Sequence, residues 1–194
     1  MTRRLAILAL ALLAGCGGKD PVATAGQADE ALRKGDAVSA QKLAEEGLAL
    51  PNVAADNGTA WRLERVRLEA LAVQGQASTV LTEIERVGKT YAAPNQVNAA
   101  FYAKVARELV DAQKLIESLD LIEAGKKKFP KEVDKYDSLI EELKARAESG
   151  GDNALTNKLA QLGYVGGGKK KPAAETEKPA AEPAKPSTEE PVKP

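Results

Sequence analysis

The chain has 194 residues, with 28 basic and 28 acidic side chains, no histidine and a single cysteine, Cys16. That inventory excludes a Cys/His zinc site, a Ser-His-Asp or Cys-His nucleophile and an intramolecular disulfide; a formal charge of zero speaks against nucleic acid, whose binding rests on an excess of Lys and Arg. Seven aromatics beside 35 alanines point to closely packed helices, because Ala is the best helix former and lets backbones approach.

Arg3 and Arg4 precede an apolar run from Leu5 to Ala14, followed by small residues that end at Cys16, the layout of a secretory signal. The run is shorter than the roughly 20 apolar residues that cross a bilayer. Leu13-Ala14-Gly15-Cys16, at the end of that run, resembles the lipobox of bacterial lipoproteins. The resemblance implies that residues 1–15 are removed, that cleavage falls between Gly15 and Cys16, and that Cys16 carries a thioether-linked diacylglycerol and an N-acyl chain, with no other cofactor. Each buried methylene contributes about 0.8 kcal/mol, so two or three chains anchor stably where one does not. In the enterobacterial sorting that this pattern resembles, an Asp after the cysteine favours the inner membrane; Gly17 therefore implies the periplasmic face of the outer membrane. Loss of Arg3 and Arg4 leaves a near-neutral body with no polybasic stripe for lipid headgroups.

Residues 16–25 are small and polar, with Pro21, and read as the lipidated terminus and a short tether. A helical domain is expected over 26–165, where apolar residues recur at helical spacing and nowhere alternate over a strand length. Ala28, Ala31 and Leu32 mark a first helix that stops at Gly35; Asp36 caps a second with Ala40, Leu43, Ala44, Gly47 and Leu48, which stops before Pro51. A third runs from about Thr59 to Gln74, and Gly75 turns it into a fourth carrying Val80, Leu81, Ile84 and Val87 that ends before Pro94. Asn95 is read as the cap of a fifth with Phe101, Val105 and Leu109, and a sixth carries Leu115, Ile116, Leu119 and Ile122 to Phe129-Pro130. A seventh holds Tyr136, Leu139, Ile140 and Leu143; after Gly150-Gly151-Asp152 a short eighth holds Leu155, Leu159 and Leu162 and suits a cap on a stack. Acid-first i,i+4 pairs, Asp29 with Arg33, Glu30 with Lys34, Glu85 with Lys89, Glu123 with Lys127 and Glu142 with Arg146, support these helices.

Three successive hairpins form a repeat pattern. Ala106, Ser118, Ile122, Gly125 and Pro130 in the third, and Ala40, Ala44, Gly47 and Pro51 in the first, are similar to the small and large positions and closing proline of tetratricopeptide repeats; Val80, Ile84, Val87 and Pro94 fit more loosely. The closing prolines are 43 and 36 residues apart against 34 in the family, so the resemblance, over Gly26 to Pro130, implies an irregular all-α stack of antiparallel hairpins. A non-repeat helical bundle with the same apolar faces is the alternative.

Residues 166–194 hold six of the ten prolines and no apolar side chain larger than valine, too little to offset the entropy of ordering, so a disordered tail is expected. Gly163, Gly168 and Lys169 match a phosphate loop in spacing, but Lys170 replaces its Ser or Thr and a Pro-rich run replaces its helix. The pairs Glu45-Glu46 and Glu141-Glu142 lie on polar faces with nothing nearby to separate their pKa values, and Trp61 reads as core. No enzyme is expected.

Surface is what remains. In a stack of this kind the first helix of each hairpin lines the concave face, where the resemblance implies that peptide segments of partners lie. Arg62, Arg65 and Glu69 share a narrow arc of the third helix, with Arg107 and Asp111 in comparable places on the fifth. Arginines so placed suit a bidentate clamp on a carboxylate or chain terminus. The expected function is a membrane-anchored adaptor for another cell-envelope protein in outer-membrane, pilus or cell-wall assembly. The alternatives are a structural lipoprotein whose tail touches peptidoglycan and, more remotely, a cell-wall enzyme.

Overall fold

The computed structural model describes residues 19–93 and 95–165; Gly15, Cys16, Gly17 and the tail 166–194 lie outside the described residues. Those described fold as eight α-helices with no strand among them: α1 Pro21–Arg33, α2 Ala37–Leu48, α3 Asn57–Val73, α4 Ala77–Thr90, α5 Ala99–Asp111, α6 Leu115–Lys128, α7 Asp137–Gly150 and α8 Asn153–Gln161. The protein is all-α, as its periodicity predicts.

Two boundaries differ from the sequence reading, and both follow from caps. Asp20 accepts from the backbone of Val22 and Ala23 and Pro21 takes the first helical position, so 21–25 form the opening of α1 instead of a tether, with Thr24 and Ala25 buried. The N-cap of α5 is Asn98, not Asn95; its Oδ1 accepts from Phe101 N at 2.9 Å. Asp36, Asp56 and Asp152 cap α2, α3 and α8 through the same side-chain-to-backbone bond.

The turn from each odd helix to the next even one is built alike. Gly35, Gly75, Gln113 and Gly151 all take positive φ, at 82°, 69°, 61° and 62°. In the first three turns this residue donates back three positions and the next one five, as from Gly35 to Leu32 O and Asp36 to Ala31 O, closing the helix with a Schellman motif. Gln113 is the only non-glycine with positive φ among the described residues, and an L side chain there costs about 1 kcal/mol. Gln113→Gly is therefore expected to raise stability by about 1 kcal/mol in urea unfolding; a loss would mean that its side chain holds something the backbone does not need.

Each odd helix packs on the even helix that follows it, α3 also packs against α1, α2 and α5, α5 against α7, and α6 against α4, α7 and α8. The core between the two sets is continuous. Ala40, Ala44 and Gly47 on α2, Val80, Ile84 and Val87 on α4, and Ser118, Ile122 and Gly125 on α6 are all buried, and Ser118 Oγ donates to Ala106 O across the α5–α6 contact at 2.8 Å. Gly47 lets α2 approach α3, since a Cβ there would sit 2.7 Å from Leu63 Cδ2. Trp61 packs between Tyr91 and Phe101, ring centroids 5.7 and 5.1 Å away, tying α3 to α5.

Candidate functional site

The face of the odd helices carries two groups of ion pairs that join one helix to the next. Asp29 of α1 receives two guanidinium groups from α3, Arg62 through Nε on Oδ2 and Arg65 through Nη2 on Oδ1 at 2.6 Å. The forks expected to reach for a partner's carboxylate thus hold one from the same chain. Asp29 in turn leaves Arg33, its expected i,i+4 partner, to Glu30.

Glu69, expected beside the arginines on an open surface, is only 2% exposed. The reason is the position of α3: flanked by α1 and α5, it keeps a narrow solvent arc, and Glu69 falls on the α5 side of it. Lys104 of α5 donates to Glu69 Oε2 at 2.8 Å. Glu69 Oε1 is buried, 3.6 Å from Arg65 Nη1, and accepts no hydrogen bond among the described residues.

Arg107 and Asp111 form a second group that joins α5 to α7. Arg107 donates to Glu142 Oε2 at 2.7 Å, Arg146 to Glu142 Oε1 at 2.8 Å, and Arg146 Nη2 lies 4.0 Å from Asp111. Against the upward push of burial, these bonds from Arg146 and Arg107 hold the Glu142 carboxyl below its ordinary range. The adjacent Glu141 pairs with Lys144, while Glu46 pairs with Lys19 and Glu45 accepts from Gln41, so both carboxylate doublets take part in surface contacts.

Between α1, α3 and α5 runs a groove of about 570 Å³ bordered by Asp29, Leu32, Arg65, Glu69, Val73, Lys104 and Glu108. A second hollow of about 430 Å³ lies between α5 and α7, bordered by Ala100, Ala103, Arg107, Lys135 and Leu139, and it shares Lys104 and Glu108 with the first. Glu108 sits where the two meet. It makes no ion pair or hydrogen bond among the described residues. Burial pushes its carboxyl above the ordinary value; Lys104 and Arg107 oppose that shift, and Asp111 and Glu69 add to it.

Lys104 and Glu108 are absent from the expected site. They stand base-first at i,i+4, the order that supports a helix less, and only the neighbouring α3 shows that Lys104 turns away to Glu69. A third ionic group, equally unannounced, joins α3 to α4: Glu64 and Glu83 both pair with Arg67 and Arg86. No helix among the described residues is long and apolar enough to cross a membrane. Comparison with protein-family models, curated proteins and solved structures finds no match.

Proposed function

We propose that this chain is a lipoprotein of the bacterial envelope, anchored through Cys16 to the periplasmic face of the outer membrane, and that it acts as a non-enzymatic adaptor holding a segment of another envelope protein. The observation that carries the adaptor reading is the pair of hollows across α1, α3, α5 and α7 that meet at Lys104 and Glu108 and are lined by both apolar and charged side chains. The lipobox resemblance of Leu13-Ala14-Gly15-Cys16 carries the anchor. In this reading the helices are an irregular tetratricopeptide-like stack. Support comes from the left-handed turns at 35, 75, 113 and 151, a steadier interval than that of the prolines, and from burial of the small and large repeat positions on α2, α4 and α6.

The test compares the native chain with Cys16→Ser in growing cells fed an alkyne fatty acid, followed by crosslinking and affinity capture. The native chain is expected to take up label, to sediment with outer membranes and to retain one abundant envelope partner. Cys16→Ser should take up none and lose that partner. An unlabelled native chain, free of membranes and with the same partners as the mutant, would overturn the anchor; absence of any partner from both forms would overturn the adaptor.

A further inference from the structure

Four cations around the groove are engaged, Arg33 by Glu30, Arg65 by Asp29, Lys104 by Glu69 and Arg107 by Glu142, while Lys135 at the α7 side of the second hollow pairs with no carboxylate among the described residues. Where the two hollows meet, what lacks a partner is acidic. Glu108 has no counter-charge in contact among the described residues, and Glu69, on the neighbouring helix of the same groove, has a buried oxygen with no donor. A partly desolvated carboxylate without a cation opposes folding, and a buried acceptor without a donor does the same.

We propose that the groove takes a peptide segment of a second protein through a Lys or Arg side chain, whose cationic head pairs with Glu108 beside Glu69. The proposal rests on the adaptor reading and gives its partner a chemistry, opposite in sign to the acidic one that the arginine pattern suggests. Val73 in the first hollow and Ala103 in the second put apolar surface on either side of Glu108 for a methylene stem, leaving the head at the carboxylate. A guanidinium or ammonium there supplies the counter-charge that Glu108 lacks.

The experiment pans a displayed library of random short peptides over the immobilised full chain and measures affinities of the enriched peptides. The bound pool should be rich in Lys and Arg, and Glu108→Gln should weaken its peptides about fivefold, the upper end of the range for one partly exposed charge pair. Burial raises the Glu108 carboxyl, so its charged form costs stability at neutral pH, and Glu108→Gln should melt no lower than the native chain. Weaker binding without weaker folding separates a binding role from a structural one. Val73→Trp and Ala103→Trp, made together to fill both hollows, separate two failures. Peptides that survive the double substitution do not use the groove, and the adaptor reading falls; peptides that it abolishes but that are acidic, or indifferent to Glu108→Gln, overturn the cation alone. Self-association lost with Glu108→Gln would make a second copy the occupant, and peptide binding that appears only after Lys169, Lys170 and Lys171 are changed to Gln would make it the chain's own tail. Either result contradicts a second protein.

Discussion

Gly125→Val is expected to cost about 3 kcal/mol of folding stability, the upper part of the range for forcing atoms into a filled core. Gly125 faces Tyr136, which ends the 3-10 turn before α7 and is fully buried. A Cβ on residue 125 would lie 2.7 Å from Tyr136 Cζ and 3.1 Å from Cε1, and closer still to the hydroxyl. A ring enclosed on all sides cannot swing away, so α6 and α7 must part. Valine also adds two methyl groups beyond that first clash. Urea unfolding followed by circular dichroism measures the loss, and Tyr136→Ala in the same chain should recover part of it, giving a favourable coupling between the two sites. Tyr136→Phe alone should be neutral or stabilising, because the hydroxyl is buried with no hydrogen-bond partner among the described residues. An unchanged midpoint for Gly125→Val would show that the contact is looser than its geometry.

Arg67→Met is the second large effect, again about 3 kcal/mol at neutral pH, the scale of breaking a buried ion pair from one side. Arg67 joins Glu64 at 3.0 Å and also Glu83, and its side chain and that of Glu64 are 14% and 7% exposed. Removing it leaves two carboxylates to Arg86, half of which lies in solvent. The pH dependence follows from Glu83. The hydrogen bond from Arg67 holds its carboxyl below the ordinary 4.5, against burial and with help from Arg86. A carboxyl lowered by folding contributes stability that is complete above its unfolded pKa and fades as pH falls through the folded one. The native chain should thus weaken below about pH 4.5, and Arg67→Met should weaken less steeply over the same interval. Parallel acid profiles would show that Glu83 draws nothing from Arg67.

Helix order was legible because each element carries its own local signal. Asp36 before α2, Gly75 after α3 and the Gly150-Gly151-Asp152 break before α8 act over one turn of chain, and all three stand where expected. Asn95 failed because Asn98 offers the same cap three residues on, and only the packing of Phe101 against Trp61 selects between them. The likeness of the four turns was partly hidden since Gln113 occupies one where Gly35, Gly75 and Gly151 mark the others.

The site was legible as a face and not as a set of bonds. Arg62, Arg65 and Glu69 do share one side of α3, but helical spacing says nothing of what the next helix brings. Asp29 lies 33 residues before Arg62 and Lys104 lies 35 after Glu69, so their pairing appears only when α1, α3 and α5 stand together. That neighbourhood engages the arginines and leaves Glu108 without an ion pair among the described residues.

The most direct measurement is site-specific photocrosslinking in intact cells, with the crosslinker at Val73 or Ala103 in the groove and at Val38, exposed on α2, as the opposite-face control. Crosslinks from both groove positions to one envelope protein, through a segment containing Lys or Arg, reduced in yield by Glu108→Gln and absent from Val38, are the predicted result. Equal products from Val38 and the groove, or none from the groove, would contradict the account.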